Sequence, residues 1–134
     1  MYNTYEKNII RTETILDGVS EDTTSKAVNV IGAKRIAIDI SSDENISNRS
    51  GEFTVQASVD EGETFHDLNK LIENSATDRD ALVGSVTVDS ASDSVLIFVD
   101  GQVTGAITYV KVDVAVTDTT SPAGTFTSKI SVQK

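Results

Sequence analysis

A chain of 134 residues has the length of one domain and can bury about two-thirds of its unfolded surface, so it can fold without a metal or a covalent staple. It holds no cysteine, which removes disulfides, thiolate zinc sites and cysteine nucleophiles together, and its net charge of -10 repels phosphate backbones and argues against nucleic acid as a partner. Residues 1–7 are polar with no secretion signal, and no apolar run reaches the length of a membrane span, so the expectation is a soluble cytosolic product that leaves the cell only by lysis or on a particle.

In chain order, residues 1–8 read as a flexible amino-terminal arm, and residues 9–134 as one domain. Residues 8–16 place Ile9, Ile10, Ile15 and Leu16 among Arg, Thr and Glu, which reads as an extended strand or arm closed by the turn pair Asp17-Gly18. A Ser/Thr/Asp-rich stretch over 20–26 leads to a strand at 27–31. Gly32 then turns the chain into a strand at 34–41 that carries Ile36, Ile38 and Ile40 at one parity. Residues 42–51 are too polar to be buried and read as a surface loop. The strongest strand follows at 52–59, with Phe53, Val55, Ala57 and Val59 on one face.

Leu68, Leu71 and Ile72 fall at helical spacing, so residues 68–74 are the one stretch open to a helical turn, with a strand competing. Strands at 82–88 and 94–99 flank the turn-rich 89–93. The second contains Val95, Leu96, Ile97, Phe98 and Val99, apolar on both faces, which predicts a central or covered strand with Phe98 on a core parity. Asp93 and Asp100 flank it as charges that oppose edge aggregation. Residues 106–118 alternate through Val110, Val112, Val114 and Val116. A Ser/Thr loop with Pro122 and Gly124 leads to 125–132, where Phe126, Ile130 and Val132 share a face across a polar Ser128.

Period-two patterning throughout predicts half-buried antiparallel strands, about eight of them, in an all-β sandwich of jelly-roll-like form. Ile36, Ile38, Phe53, Val55, Val59, Val112, Val114 and Ile130 are its expected core.

Chemistry is sparse. His66 lies near Ser58 and Asp60 in sequence, but only alternate positions of a strand share a face, and there is no nucleophile elbow or second base, so no hydrolytic triad is assigned. Acidic residues cluster at Asp43-Glu44, at Asp60, Glu61 and Glu63, at Asp78 and Asp80, and at Asp89 with Asp93. None has EF-hand spacing, so these read as solvated turns, and the chain is expected to need no metal and no other cofactor. Aromatic residues make up 5 % of the chain and include no Trp, a weak basis for a sugar-stacking platform.

The most specific local motif is Ser58, Asp60, Gly62, Thr64 and Phe65, which resembles the Asp-box, Ser-x-Asp-x-Gly-x-Thr-Trp, of β-hairpin turns. Ser58 and Asp60 can bond the turn backbone, Gly62 permits positive φ and Phe65 can pack onto the sheet. One copy, with Phe in place of Trp, predicts a structural turn and carries over neither a propeller nor sialidase activity.

Phe53 to Asp60, then Gly62, Thr64 and Phe65, then Leu68 to Asn74, resemble a group of small tailed-phage virion proteins. The opening Ile10 to Leu16, the strands over 28–40 and the valine-alternating strand from Tyr109 extend the likeness over most of the chain. The resemblance implies a non-enzymatic β-sandwich component of the virion. Its first implication is a head decoration, or cement, protein on the lattice of the phage major capsid protein, itself a homo-oligomer. The alternative is a carbohydrate-binding or host-adhesion module of a tail. Tyr2, Tyr5, Ile9 and Ile10 are the expected partner-binding residues of the arm, because an extended arm can add main-chain hydrogen bonds to a neighbour's open sheet edge.

Overall fold

The structure is a computed structural model that describes residues 10–68, 70–72, 81–83, 85–99 and 106–134. Every regular element among them is a strand, and the strands form two antiparallel sheets packed face to face.

The first sheet has four strands in the order β1 (Ile10–Val19), β12 (Phe126–Gln133), β4 (Arg35–Ser42) and β10 (Ser94–Val99). Ile36, Ile38 and Ile40 of β4 face inward beside Phe126, Ile130 and Val132 of β12, and Ile97 and Val99 of β10 join them. The second sheet runs β2 (Thr23–Thr24), β11 (Tyr109–Ala123), β5 (Ser47–Ser58) and β6 (His66–Asp67). In addition β3 (Val28–Asn29) pairs with β11 and β9 (Val86–Val88) with β5. Phe53 and Val55 of β5 and Val110, Val112 and Val114 of β11 point into the same core. A small separate ladder joins β7 (Lys70–Ile72) and β8 (Ala81–Val83), so the stretch open to a helical turn is extended where it is described.

The two inner faces meet at Phe53 and Phe126, whose rings lie edge to face with centroids 5.6 Å apart. Each fully buried Ile, Val or Phe contributes about 1.5–3 kcal/mol relative to exposure, so this shared core is the main source of stability.

The structure departs from the sequence-based expectation in several places, among them the strand expected at 82–88, which divides into β8 and β9 on different partners. Val59 is exposed: β5 ends at Ser58, whose own side chain turns inward, so the alternation slips by one residue. β10 is an edge strand, and Leu96 and Phe98 point to the outer face. An apolar run on both parities therefore marks here an edge with one uncovered apolar face.

The polar loop expected at 42–51 is shorter. Ser47 to Gly51 belong to β5 and pair with β11 as far as Ala123, and Ile46 is buried. The loop expected around Pro122 is correspondingly part of β11, with a register irregularity between Asp118 and Ala123. Ladder hydrogen bonds need no apolar side chains, which is why this polar end of the β5–β11 ladder has no hydrophobic signal. Arg49 fastens it, donating to both carboxylate oxygens of Asp118 at 2.7 and 3.1 Å and to the Gly124 carbonyl at 2.6 Å. Gly124 is required there, because its φ is +96° and an added Cβ would lie 2.6 Å from the Ile46 Cα. Finally, Asp17-Gly18 does not close the first strand: β1 continues to Val19 through two irregularities, with Gly18 at φ +62°.

Candidate functional site

Ser58, Asp60, Gly62 and Thr64 assemble into one hydrogen-bonded turn at the end of β5. The fully buried Ser58 hydroxyl donates to Asp60 Oδ1 at 2.6 Å and accepts from the backbone N–H groups of Asp60 at 3.2 Å and Gly62 at 2.9 Å. Asp60 Oδ1 also accepts from the Thr64 N–H at 2.9 Å. The Ser58 hydroxyl, with the Thr64 N–H second, holds the Asp60 carboxyl down at about 2. Gly62 has φ +90° and Glu61 φ +61°, the reversal that lets the N–H groups converge on Ser58.

Thr108 braces the turn from the neighbouring chain segment. Its N–H and hydroxyl donate to the Ser58 carbonyl at 2.8 and 3.0 Å, and its hydroxyl accepts from the Glu61 N–H at 3.0 Å. The Lys111 ammonium sits 4.2 Å above the Phe65 ring, a cation–π contact across the neighbouring strand. His66 is exposed on β6, opposite Ala57. The Ser58 hydroxyl and Asp60 Oδ1 are engaged with each other and with the turn backbone.

Of the expected arm residues, Tyr2, Tyr5 and Ile9 lie outside the described residues. Ile10 opens β1, pairs with Gln133 and is exposed, whereas Leu16 on the same strand is buried. Of the apolar residues expected there, Leu16 is covered by the core, Ile15 is partly buried and Ile10 is left uncovered.

Of the acidic turns, Asp78 and Asp80 lie outside the described residues, and those at Asp43 and Asp93 bond neighbouring segments of the chain. Asp43 accepts from the Asn45 N–H at 2.9 Å and from the Thr125 N–H and hydroxyl at 3.2 and 2.9 Å. Asp93 lends its backbone N–H to the Ser42 hydroxyl at 2.9 Å. Among the described residues no three His, Asp or Glu side chains lie close enough to share an ion.

Sequence reasoning missed three features. The Arg49–Asp118 pair joins residues with no local pattern to link them, although they face each other in the β5–β11 register. A cleft of about 310 Å³ opens between the sheet edges at β1 and β3, floored by Val28, Ile130 and Val132, with Arg11, Lys26 and Glu13 at its rim. Lys26 and Glu13 pair across it at 2.6 Å. The third is the outer face of the first sheet, where Ile10, Leu96 and Phe98 are exposed together.

No family profile and no curated protein matches the sequence. Among solved structures, the chain is similar to the SPBc2 prophage-derived protein YomS, with a TM-score of 0.62 at 16% identity over 95% of each chain. It is also similar to a chain in the structure of infectious bursal disease virus Gx strain, with a TM-score of 0.51 at 12% identity, covering 95% of this chain and 32% of that one. At such identities the likeness is one of fold.

Proposed function

We propose that this chain is a non-enzymatic structural protein of a phage particle, bound as a decoration protein to the lattice of the major capsid protein. The observation that carries the reading is the end-to-end likeness in fold to a prophage-derived protein, 95% of each chain. The spent polar groups of the Ser58–Asp60 turn support it, since the best motif in the chain serves the hairpin and presents no free acid, base or nucleophile. A decoration protein needs only a rigid body that adds buried surface across neighbouring subunits, and a two-sheet sandwich supplies that body.

The test is co-sedimentation of the purified full chain with capsids of its phage assembled without it. Saturable binding is the expected result, weakened by about tenfold or more when residues 1–8 are deleted, while the circular-dichroism melt of the isolated protein stays unchanged. Binding to host glycans with no affinity for capsids would replace this reading with tail adhesion.

A further inference from the structure

The outer face of the first sheet differs from the rest of the surface. Inward positions of β4, β10 and β12 fill the core, so the alternate residues form an outer face that the register orders into rows. One row reads Phe98, Ala37, Ser131, Thr12 across β10, β4, β12 and β1. The next reads Leu96, Asp39, Lys129, Thr14. In the row beyond Ala37, Arg35 and Gln133 lie beside Ile10.

Three large apolar side chains stand uncovered there: Phe98 is 69% exposed, Ile10 64% and Leu96 55%. Phe98 and Ile10 are the walls of a shallow groove floored by Ala37 and Ser131. Such a cluster on one face of a soluble sheet marks a contact surface.

Charge selects the occupant. The molecule carries -10, and the outer face of the second sheet adds Glu52, Asp67 and Asp113 against Lys111. The first sheet's outer face holds Arg35, Asp39 and Lys129 instead, a small positive excess on an acidic protein. Among the described residues Asp39 and Lys129 make no ion pair and no side-chain hydrogen bond. In a symmetric contact each face meets its own copy, so the acidic outer face of the second sheet would repel itself, whereas this face carries both signs and can be matched charge to charge.

The rows are also self-complementary. We propose that two copies pack through this face about a twofold axis running along the strands, between β4 and β12. That rotation carries β4 of one copy over β12 of the other within the same row. Asp39 then faces Lys129 of the second copy and Lys129 faces its Asp39, two reciprocal ion pairs from one operation. Arg35 comes over Gln133, Ala37 over Ser131 and Leu96 over Thr14, with no like charges opposed. Ile10 of the second copy arrives at the β10 edge beside Phe98, and Phe98 of the second copy beside Ile10, so the apolar ridges interlock at both margins. Aligned packing of two twisted sheets is the ordinary way for such faces to meet.

The proposal is independent of any capsid, and its test uses the purified full chain alone. Sedimentation equilibrium over a concentration series should give a monomer–dimer equilibrium. Asp39→Lys and Lys129→Asp, each alone, should weaken it by about tenfold or more, because each opposes like charges twice. An equimolar mixture of these two variants should dimerise again, since each of the two facing pairs in the mixed dimer then joins a lysine to an aspartate. An effect confined to one chain's own fold cannot produce that rescue. Leu96→Ser with Phe98→Ser should also shift the equilibrium to monomer without changing the circular-dichroism melt. A wild-type chain that stays monomeric throughout, or single variants whose mixture fails to recover, overturns the proposal. A monomer whose Leu96/Phe98 variant loses capsid binding also overturns it and gives the face to the capsid.

Discussion

Two serine hydroxyls placed on core faces meet opposite fates. Ser58 is saturated, holding Asp60 and two backbone N–H groups, while the equally buried Ser128 hydroxyl has no partner among the described residues. A buried hydroxyl without a partner forfeits its hydration, so Ser128→Ala should stabilise the protein by about 1 kcal/mol and raise Tm by about 4 °C. A lower Tm in calorimetry would show that the hydroxyl is satisfied. Asp60 predicts an acid-limb effect. Its folded pKa of about 2 lies below the ordinary 3.8, so its stabilising contribution is complete above pH 4 and disappears as pH falls toward 2. Asp60→Asn should lower Tm at neutral pH yet flatten the loss of Tm over that acid range, read as the slope of Tm against pH. The turn itself was legible because its spacing is local. The inward rotation of Ser58 was not, since alternation alone would have continued into Val59.

At the level of elements, alternation identified the strands that face one another across the core. Val112 lies opposite Val55 in the central β5–β11 ladder and is fully buried. Val112→Asp should cost about 4 kcal/mol or more by burying an unpaired carboxylate, and an unchanged urea midpoint would refute its placement. Where hydrophobicity carried no information, the sequence was silent. The extension of the β5–β11 ladder from Ser47 to Gly51 has no large apolar side chain, and its clamp joins Arg49 to Asp118 across a separation that no short motif spans. The two groups hold each other charged: their mutual hydrogen bond raises the Arg49 pKa and lowers that of Asp118. The β10 run was misjudged for a different reason. Apolar residues on both parities state that both faces avoid water, and say nothing about whether a second strand or a second molecule provides the cover.

For the molecule as a whole, charge and topology govern behaviour. A net charge of -10 on a chain of this size destabilises the compact state through self-repulsion, so Tm should rise when salt is added to a low-salt buffer. A Tm that falls with salt would mean that ion pairs such as Arg49–Asp118 outweigh the repulsion. The sandwich class was readable from composition and period. The proposed role rests on resemblance, because the most specific local motif, at Ser58 and Asp60, is a hydrogen-bonded turn. Contact surfaces emerge only once the register places Leu96 beside Asp39 and Lys129.

The position of β12 between β1 and β4 bears on how the protein is made. Synthesis proceeds from the amino terminus, so residues 126–133 leave the ribosome after every other described strand. The β5–β11 ladder can close beforehand and β10 can pair with β4, but β1 has no partner in the native order until β12 follows. Until then the first sheet holds only the β4–β10 pair, and β1 remains apart from it. A product released before residue 126 would lack the strand that joins β1 to β4 and would leave the core-facing Ile36, Ile38 and Ile40 open to chaperones and proteases.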